Sequence, residues 1–289
     1  MRTPIEKQDI AAAFVTFNPD MDLLQKAILS VKDQVSCVYV IDNGSKNAGA
    51  IKNACRAYSI EPILMNENAG IASAFNISFA EAKKAGYTWV LTCDQDSVMP
   101  PDLIYSFAQS AINENIGCIG IICPNFFNRT TGVREYEGSI PRYIDKCISS
   151  GALTSVKAWD KIAGFDEVMF IDGVDFDFCK RLHNINYRIL LVPSICTNHE
   201  IGNACIHRIL GYKFLVFNHS AFRKYYIAQN IVYFSGKHNR GRVCLKAYFQ
   251  LAKQYALVLL YENKKKEKLK ALIEGASNGF LMCQELRKH

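Results

Sequence analysis

The feature that most restricts what this chain can become is an alternation repeated through its first hundred residues: an apolar run of strand length stops at polar residues, and helical periodicity follows. "IAAAFVTFN" stops at Asn18 and gives way to "MDLLQKAILSVKDQ", while "SCVYVIDNGS" stops at Asp42-Asn43-Gly44-Ser45 and gives way to "AGAIKNACRAY". A short strand, "EPILMNEN", precedes a helix entered through Gly70, and "YTWVLTCDQD" closes the series. Strand and helix alternating at this spacing predict an α/β fold with a mostly parallel, doubly wound, Rossmann-like sheet flanked by helices. Such sheets bind ligands outside the carboxyl ends of their strands. Asn18, Asp42, Asn43, Asn68, Asp94 and Asp96 all follow apolar strand segments, so they are expected to converge on one edge. Neither Gly-x-Gly-x-x-Gly nor Gly-x-x-x-x-Gly-Lys occurs among them, so a nucleotide bound there would need a metal or basic side chains for its phosphates.

The later segments extend the pattern. "DLIYSFAQSAINEN" reads as a helix and "IGCIGIICP" as a buried strand. An antiparallel or irregular stretch then leads to a helix beginning near Val156, a short acidic segment, an amphipathic helix and a final strand before His199. Beyond it the pattern weakens into an aromatic, basic stretch and roughly 50 residues of helical periodicity. A chain of 289 residues suits a large core with an appendage, here 1–202 and 203–289.

With 49% apolar and 21% charged residues, disorder is excluded. The net charge of +7 is concentrated late, in "HNRGR" and "KKKEKLK". That asymmetry suits an anionic membrane surface, and a solvated helix face explains the lysine run equally well. Arg208, Arg223 and Lys224 read in the same way, as a basic helix in solvent, and Trp89 and Trp159 read as core. Basic and aromatic residues follow no nucleic-acid-binding motif. The 11 cysteines include no C-x-x-C pair and read as small hydrophobes in a reducing cytoplasm. The first residues lack the layout of a secretory signal, and "YALVLLY" is far shorter than the ~20 residues of a spanning helix. A cytoplasmic protein, peripheral at the inner membrane face, is the expectation.

Two carboxylates at i and i+2, Asp94 and Asp96, suit one divalent cation, or a ribose hydroxyl on one and the metal on the other; oxygen donors favour Mg²⁺ or Mn²⁺. Asn18, Asn43 and Asn68, taken singly, are also ordinary turn and cap residues.

In order, "FVTFNPD", "VIDNGS", "NENAGIASAFN", "LTCDQDSVMPPDLI", "SGALTSVKAWDKIAGFDEVMFIDGVDFDFCKRL" and "HEIG" resemble the inverting glycosyltransferases of family 2, in particular their rhamnosyltransferase-like branch. That branch shows a D-x-D followed by "FIDxVDxxxCxR" and "HxxG", and the resemblance covers about residues 8 to 202. It implies the GT-A fold and a nucleoside-diphosphate-sugar donor, with dTDP-L-rhamnose suggested, and a saccharide or lipid-linked saccharide acceptor. Thr16 and Asn18 would line the nucleoside pocket, Asp42 would accept a base N–H beside Asn43, and Asn68 and Gly70 would approach base or ribose. Asp94 would meet ribose or sugar, Asp96 the metal, and His199 a further metal position. Asp175 falls at the position of the base, although Val174-Asp175 replaces the commoner Glu-Asp and leaves Asp172 and Asp177 as alternatives. The C-terminal extension would serve acceptor, membrane or homo-oligomer contacts. Two rival classes remain: a sugar-phosphate nucleotidyltransferase, whose Gly-rich, Arg-containing early loop "FVTFNPDMD" lacks, and a non-catalytic binding module, which Asp94, Asp96 and Asp175 argue against.

Overall fold

A computed structural model describes residues 5–128, 132–199, 205–209 and 212–288, with backbone only at 128, 198, 199, 205–209, 212 and 213. The opening alternation folds as β1 (Ile10–Thr16), α1 (Met21–Lys32), β2 (Cys37–Asp42), α2 (Ala48–Arg56), β3 (Ile63–Leu64), α3 (Ile71–Lys84), β4 (Trp89–Asp94) and α4 (Leu103–Ser110). Helix starts obey the local chemistry: the Asp20 carboxylate caps α1 by accepting the Asp22 and Leu23 N–H groups at 2.9 and 3.1 Å. There follow β5 (Ile119–Asn128), β6 (Val133–Arg134), β7 (Arg142–Ile144), β8 (Ala152–Ser155), α5 (Val156–Lys161), α6 (Val174–Asn184) and β9 (Arg188–His199).

These strands form one nine-stranded sheet among the described residues, ordered β3-β2-β1-β4-β8-β5-β9-β7, with β6 on β5. From β3 to β4 every pairing is parallel. The expectation of a doubly wound parallel sheet meets its limit at β8, which lies between β4 and β5 and runs antiparallel to both. Beyond it, β5 and β9 pair in parallel. All four β8 residues are buried, and the strand lies at the end of the stretch read from the sequence as antiparallel or irregular. Phe14, Leu24, Ile28, Phe107, Leu153 and Leu190 belong to one continuous core under the sheet.

Compact grouping separates Met1–Val168 with Val174–His199 from a second unit, Met169–Gly173 with Glu200–His289. The second unit contains a hairpin, β10 (Cys205–Ile209) and β11 (Tyr212–Val216), that the sequence did not announce. It also contains α7 (Ala221–Lys237), α8 (Leu245–Tyr261) and α9 (Lys265–Glu285). Ala228, Val232, Leu251, Val258 and Leu272 form its core. Glycines let α9 approach α7 closely: a Cβ on Gly275 would lie 2.0 Å from the Tyr225 carbonyl oxygen, and one on Gly279 2.6 Å from that of Gln229.

The expected solvated basic face is corrected at Lys224 and Lys268, while Lys264, Lys265, Lys266 and Lys270 are exposed as expected. Lys224 is buried, and its ammonium lies 2.6 Å from Glu262, whose other oxygen is 2.9 Å from buried Lys268 of the lysine run. Lys224 also donates to the Gln254 side-chain oxygen at 3.0 Å, and Lys268 to that of Asn218 at 2.5 Å. Arg223 makes a two-pronged pair with Asp172, both contacts 2.8 Å. Charges taken out of water need such partners, and Glu262 stands 38 residues from Lys224, beyond any local pattern. No helix among the described residues is long and apolar enough to cross a membrane. The ten cysteines whose side chains are described are free thiols. Trp89 is buried, as expected of core; Trp159 is half-buried and donates its indole N–H to Asn76 at 3.0 Å.

Candidate functional site: the carboxyl edge of the sheet

Register brings the polar strand ends together. Thr16 pairs with Asp42 across β1 and β2, Asp42 with Leu64 across β2 and β3, and Val15 with Asp94 across β1 and β4. The loops leaving these strands are tied by their own side chains. The Asp42 carboxylate is fully buried and accepts the Thr16 hydroxyl at 3.0 Å, the Ser45 hydroxyl at 2.5 Å and the Ser45 N–H at 3.0 Å. The same Ser45 hydroxyl accepts the Asn18 N–H at 2.7 Å, and the Asn18 side-chain oxygen accepts the Lys46 N–H at 2.9 Å. Asn18 itself sits at a φ of 46°, in the left-handed region that Asn tolerates better than most residues.

A second knot joins β2 to α3. Asn43 donates its amide to the Asn68 side-chain oxygen at 2.9 Å and accepts the Ala69 N–H at 2.9 Å, while Asn68 also accepts the Gly70 N–H at 3.0 Å. Gly70 begins α3 with a φ of 89°. Gly44 has no substitute either: its φ is +79°, and a Cβ would stand 2.6 Å from the Glu67 carbonyl carbon. Asn43 and Asn68 thus have turn-building work, whatever else they touch, and Asp42 is covered by Ser45.

At β4, Asp94 is half-buried at the strand end, and Asp96 is exposed on the turn after it. Between them Gln95 accepts the Phe17 N–H at 2.8 Å, which fastens the β1 loop to the β4 loop. Ser45 and Gln95 escaped the sequence reading, although both sit inside the quoted motifs. Among the described residues no three His, Cys, Asp or Glu side chains form a metal-holding cluster. The backbone of His199 ends β9 opposite Asn128 of β5, and its side chain lies outside the described residues.

The three carboxylates proposed for the base have different surroundings. Asp177 is fully buried and pairs with Arg181 at 2.7 Å, one helical turn on. That guanidinium also donates to the Ile162 and Gly164 carbonyls at 2.7 and 2.6 Å, which holds α6 against the loop after α5. Asp172, grouped with the second unit, is committed to Arg223 at a φ of 66°. Asp175, half-buried in the first turn of α6, lines a cavity together with Thr92, Cys147, Ser149, Thr154 and Cys179. Thr92 lies on β4 two residues before Asp94 and donates its hydroxyl to the Ser149 and Ala152 carbonyls at 2.5 and 3.1 Å. The Cys147 thiol is held well above the ordinary thiol range, first by its hydrogen bond with Cys123 and also by burial and the nearby Asp175 charge. The Cys179 thiol is likewise held well above the ordinary range, first by its hydrogen bond with Cys147 and then by burial.

Sheet order and the polar residues at the strand ends define the class: this is a GT-A fold. One solved structure, described as "Crystal structure of GalNAc-T7 with UDP, GalNAc and Mn2+", superposes with a TM-score of 0.60 at 12% identity; the match covers 96% of this chain and 56% of that one. The family model described as "Glycosyl transferase family 2" matches residues 13–169, more than half of the sequence. The chain belongs to glycosyl transferase family 2. It is 29% identical over 238 residues to the "dTDP-rhamnosyl transferase RfbF" of Shigella flexneri, across 77% of this chain and 78% of that protein. It is also 30% identical over 127 residues to an "N-acetylglucosaminyltransferase" of Rhizobium meliloti (strain 1021), across 40% of this chain and 29% of that protein.

Proposed function

We propose that this protein transfers a sugar, with inversion, from a nucleoside-diphosphate-sugar donor to a saccharide or lipid-linked saccharide acceptor, and that the donor is dTDP-L-rhamnose. The observation that carries the reading is the small cavity lined by both Asp175 and Thr92, because it puts a first-turn carboxylate of α6 beside the strand that ends in Asp94. The donor sugar rests on similarity to a protein named for dTDP-rhamnosyl transfer.

In this reading the Thr16–Asp42–Ser45 network holds the β1 and β2 loops as one wall of the nucleoside site, and Asn43, Asn68 and Gly70 form the next. Asp175 takes the proton of the acceptor hydroxyl as its oxygen attacks the anomeric carbon, while the bond to the diphosphate oxygen breaks on the opposite face. One base suffices, because the leaving diphosphate departs as an anion and needs no protonation. Asp94 and Asp96 offer the oxygen donors that suit Mn²⁺ or Mg²⁺, ions bound through one or two carboxylates plus substrate phosphates. When bound, such an ion would stabilise the charge on the diphosphate. His199 is a further ligand in this proposal. The Mn²⁺ that accompanies UDP in the similar GalNAc-T7 structure agrees with that choice. The protein is proposed to work in the cytoplasm, at the inner membrane face.

The test is nucleoside diphosphate release from a panel of nucleotide sugars, with and without Mn²⁺ or Mg²⁺. Asp175→Asn is expected to lower kcat by roughly 10²–10⁴-fold with donor affinity kept, and Asp96→Ala to abolish metal-dependent donor binding. If no nucleotide sugar binds in the presence of metal, the reading is wrong.

A further inference from the structure

Helix α8 is apolar on two opposite faces. Ala247, Leu251 and Val258 are buried within the helical unit. At helical spacing on the far side, Leu245, Phe249, Ala252, Ala256, Leu259 and Leu260 are exposed, Phe249 by 67% and Leu260 by 66%. An α-helix places residues i, i+4, i+7, i+11 and i+14 on one stripe, and 245, 249, 252, 256 and 259 follow that series. A helix of this composition normally has both faces covered. The stripe is about 22 Å long at 1.5 Å per residue.

The charges beside the stripe say what covers it. No acidic residue occurs within α8. Lys246 and Lys253, both exposed, lie along one edge of the stripe, and exposed Lys264, Lys265 and Lys266 cluster just past its C-terminal end. Across residues 239–270 Glu262 is buried with its two lysines, which leaves Glu267 as the exposed acid against eight exposed lysines and arginines. A second copy of the chain packed on this face would bring the same cations against one another. An anionic bilayer supplies both what the leucines and phenylalanine need and what the lysines need, the arrangement of helices that lie in the membrane interface.

We propose that the exposed face of α8 is a membrane-docking surface that lies flat on an anionic lipid bilayer, with Phe249, Leu259 and Leu260 inserted among the acyl chains and Lys246, Lys253 and Lys264–Lys266 on the headgroups. The proposal deepens the reading of a lipid-linked acceptor, yet its test needs no donor, acceptor or metal, so the two fail separately. The full-length protein is mixed with vesicles of phosphatidylcholine alone or with one-third phosphatidylglycerol, and the bound fraction is measured by flotation at low and high salt.

Binding is expected to anionic vesicles only, to weaken at least tenfold at high salt, and to fall at least tenfold in F249E/L260E. Because both side chains are mostly exposed, that variant should keep the wild-type thermal melt and the wild-type rate of nucleoside diphosphate release with a water-soluble acceptor. K264E/K265E/K266E should lose the preference for anionic lipid. Equal binding by F249E/L260E, no binding by the wild type, or a wild-type dimer that F249E/L260E splits without any vesicle binding would each overturn the proposal.

Discussion

At the scale of single residues, α6 sets two aspartates two positions apart to opposite tasks. Asp177 has no exposed surface and spends its charge on Arg181, whereas Asp175 opens into the cavity it shares with Thr92. Substitutions at the two places should therefore fail differently. Arg181→Met removes the cation beside the buried Asp177 carboxylate and the guanidinium bonds to Ile162 and Gly164, and the loss is expected to be about 3–5 kcal/mol in urea unfolding. Asp175→Asn should lose turnover, with a smaller loss in the same urea unfolding than Arg181→Met. Wild-type stability in Arg181→Met would show that the pair contributes nothing. The i, i+4 spacing of Asp177 and Arg181 is visible in the sequence, where Asp177 nevertheless stood as an alternative to Asp175 for the base. The commitment of Asp172 to Arg223 is not visible there, because the partners are 51 residues apart.

At the scale of elements, the strand–helix alternation before β4 was legible because each parallel strand is an unbroken apolar run ended by polar residues. β8 was legible only as part of an antiparallel or irregular stretch, because its four residues, buried between β4 and β5, show no alternation of their own. The hairpin β10–β11 was hidden in a basic, aromatic stretch, and the buried lysines of α7 and α9 looked like surface until Glu262 was found between them. The approach of α9 to α7 depends on Gly275, whose missing Cβ leaves room for the Tyr225 carbonyl. Gly275→Ala should push the helices apart and cost about 1–3 kcal/mol, despite the better helix propensity of Ala. Calorimetry of the variant checks this, and an unchanged or raised melting temperature would contradict it.

At the scale of the whole molecule, stability should depend on pH through His219. Burial first, and the Arg223 charge second, lower its pKa from 6.5 to about 4, with Lys224 adding to the effect and Asp172 and Glu262 opposing it. The unfolded chain takes up a proton below about 6.5 that the folded chain refuses until about 4. Folding stability should therefore be level above that window, fall as pH drops through it and level again below. His219→Gln should lose less stability than wild type between pH 7 and 4.5 in urea titrations; parallel curves would remove His219 from the account. The central claim, that Asp175 is the base of an inverting transfer at the carboxyl edge of the sheet, is tested most directly by one measurement. Wild type and Asp175→Asn are given dTDP-L-rhamnose, metal and acceptor, and the anomeric configuration and rate of product formation are followed by NMR. The account predicts an inverted product from the wild type and turnover lowered at least a hundredfold in Asp175→Asn; a retained configuration, or a variant as fast as wild type, would contradict it.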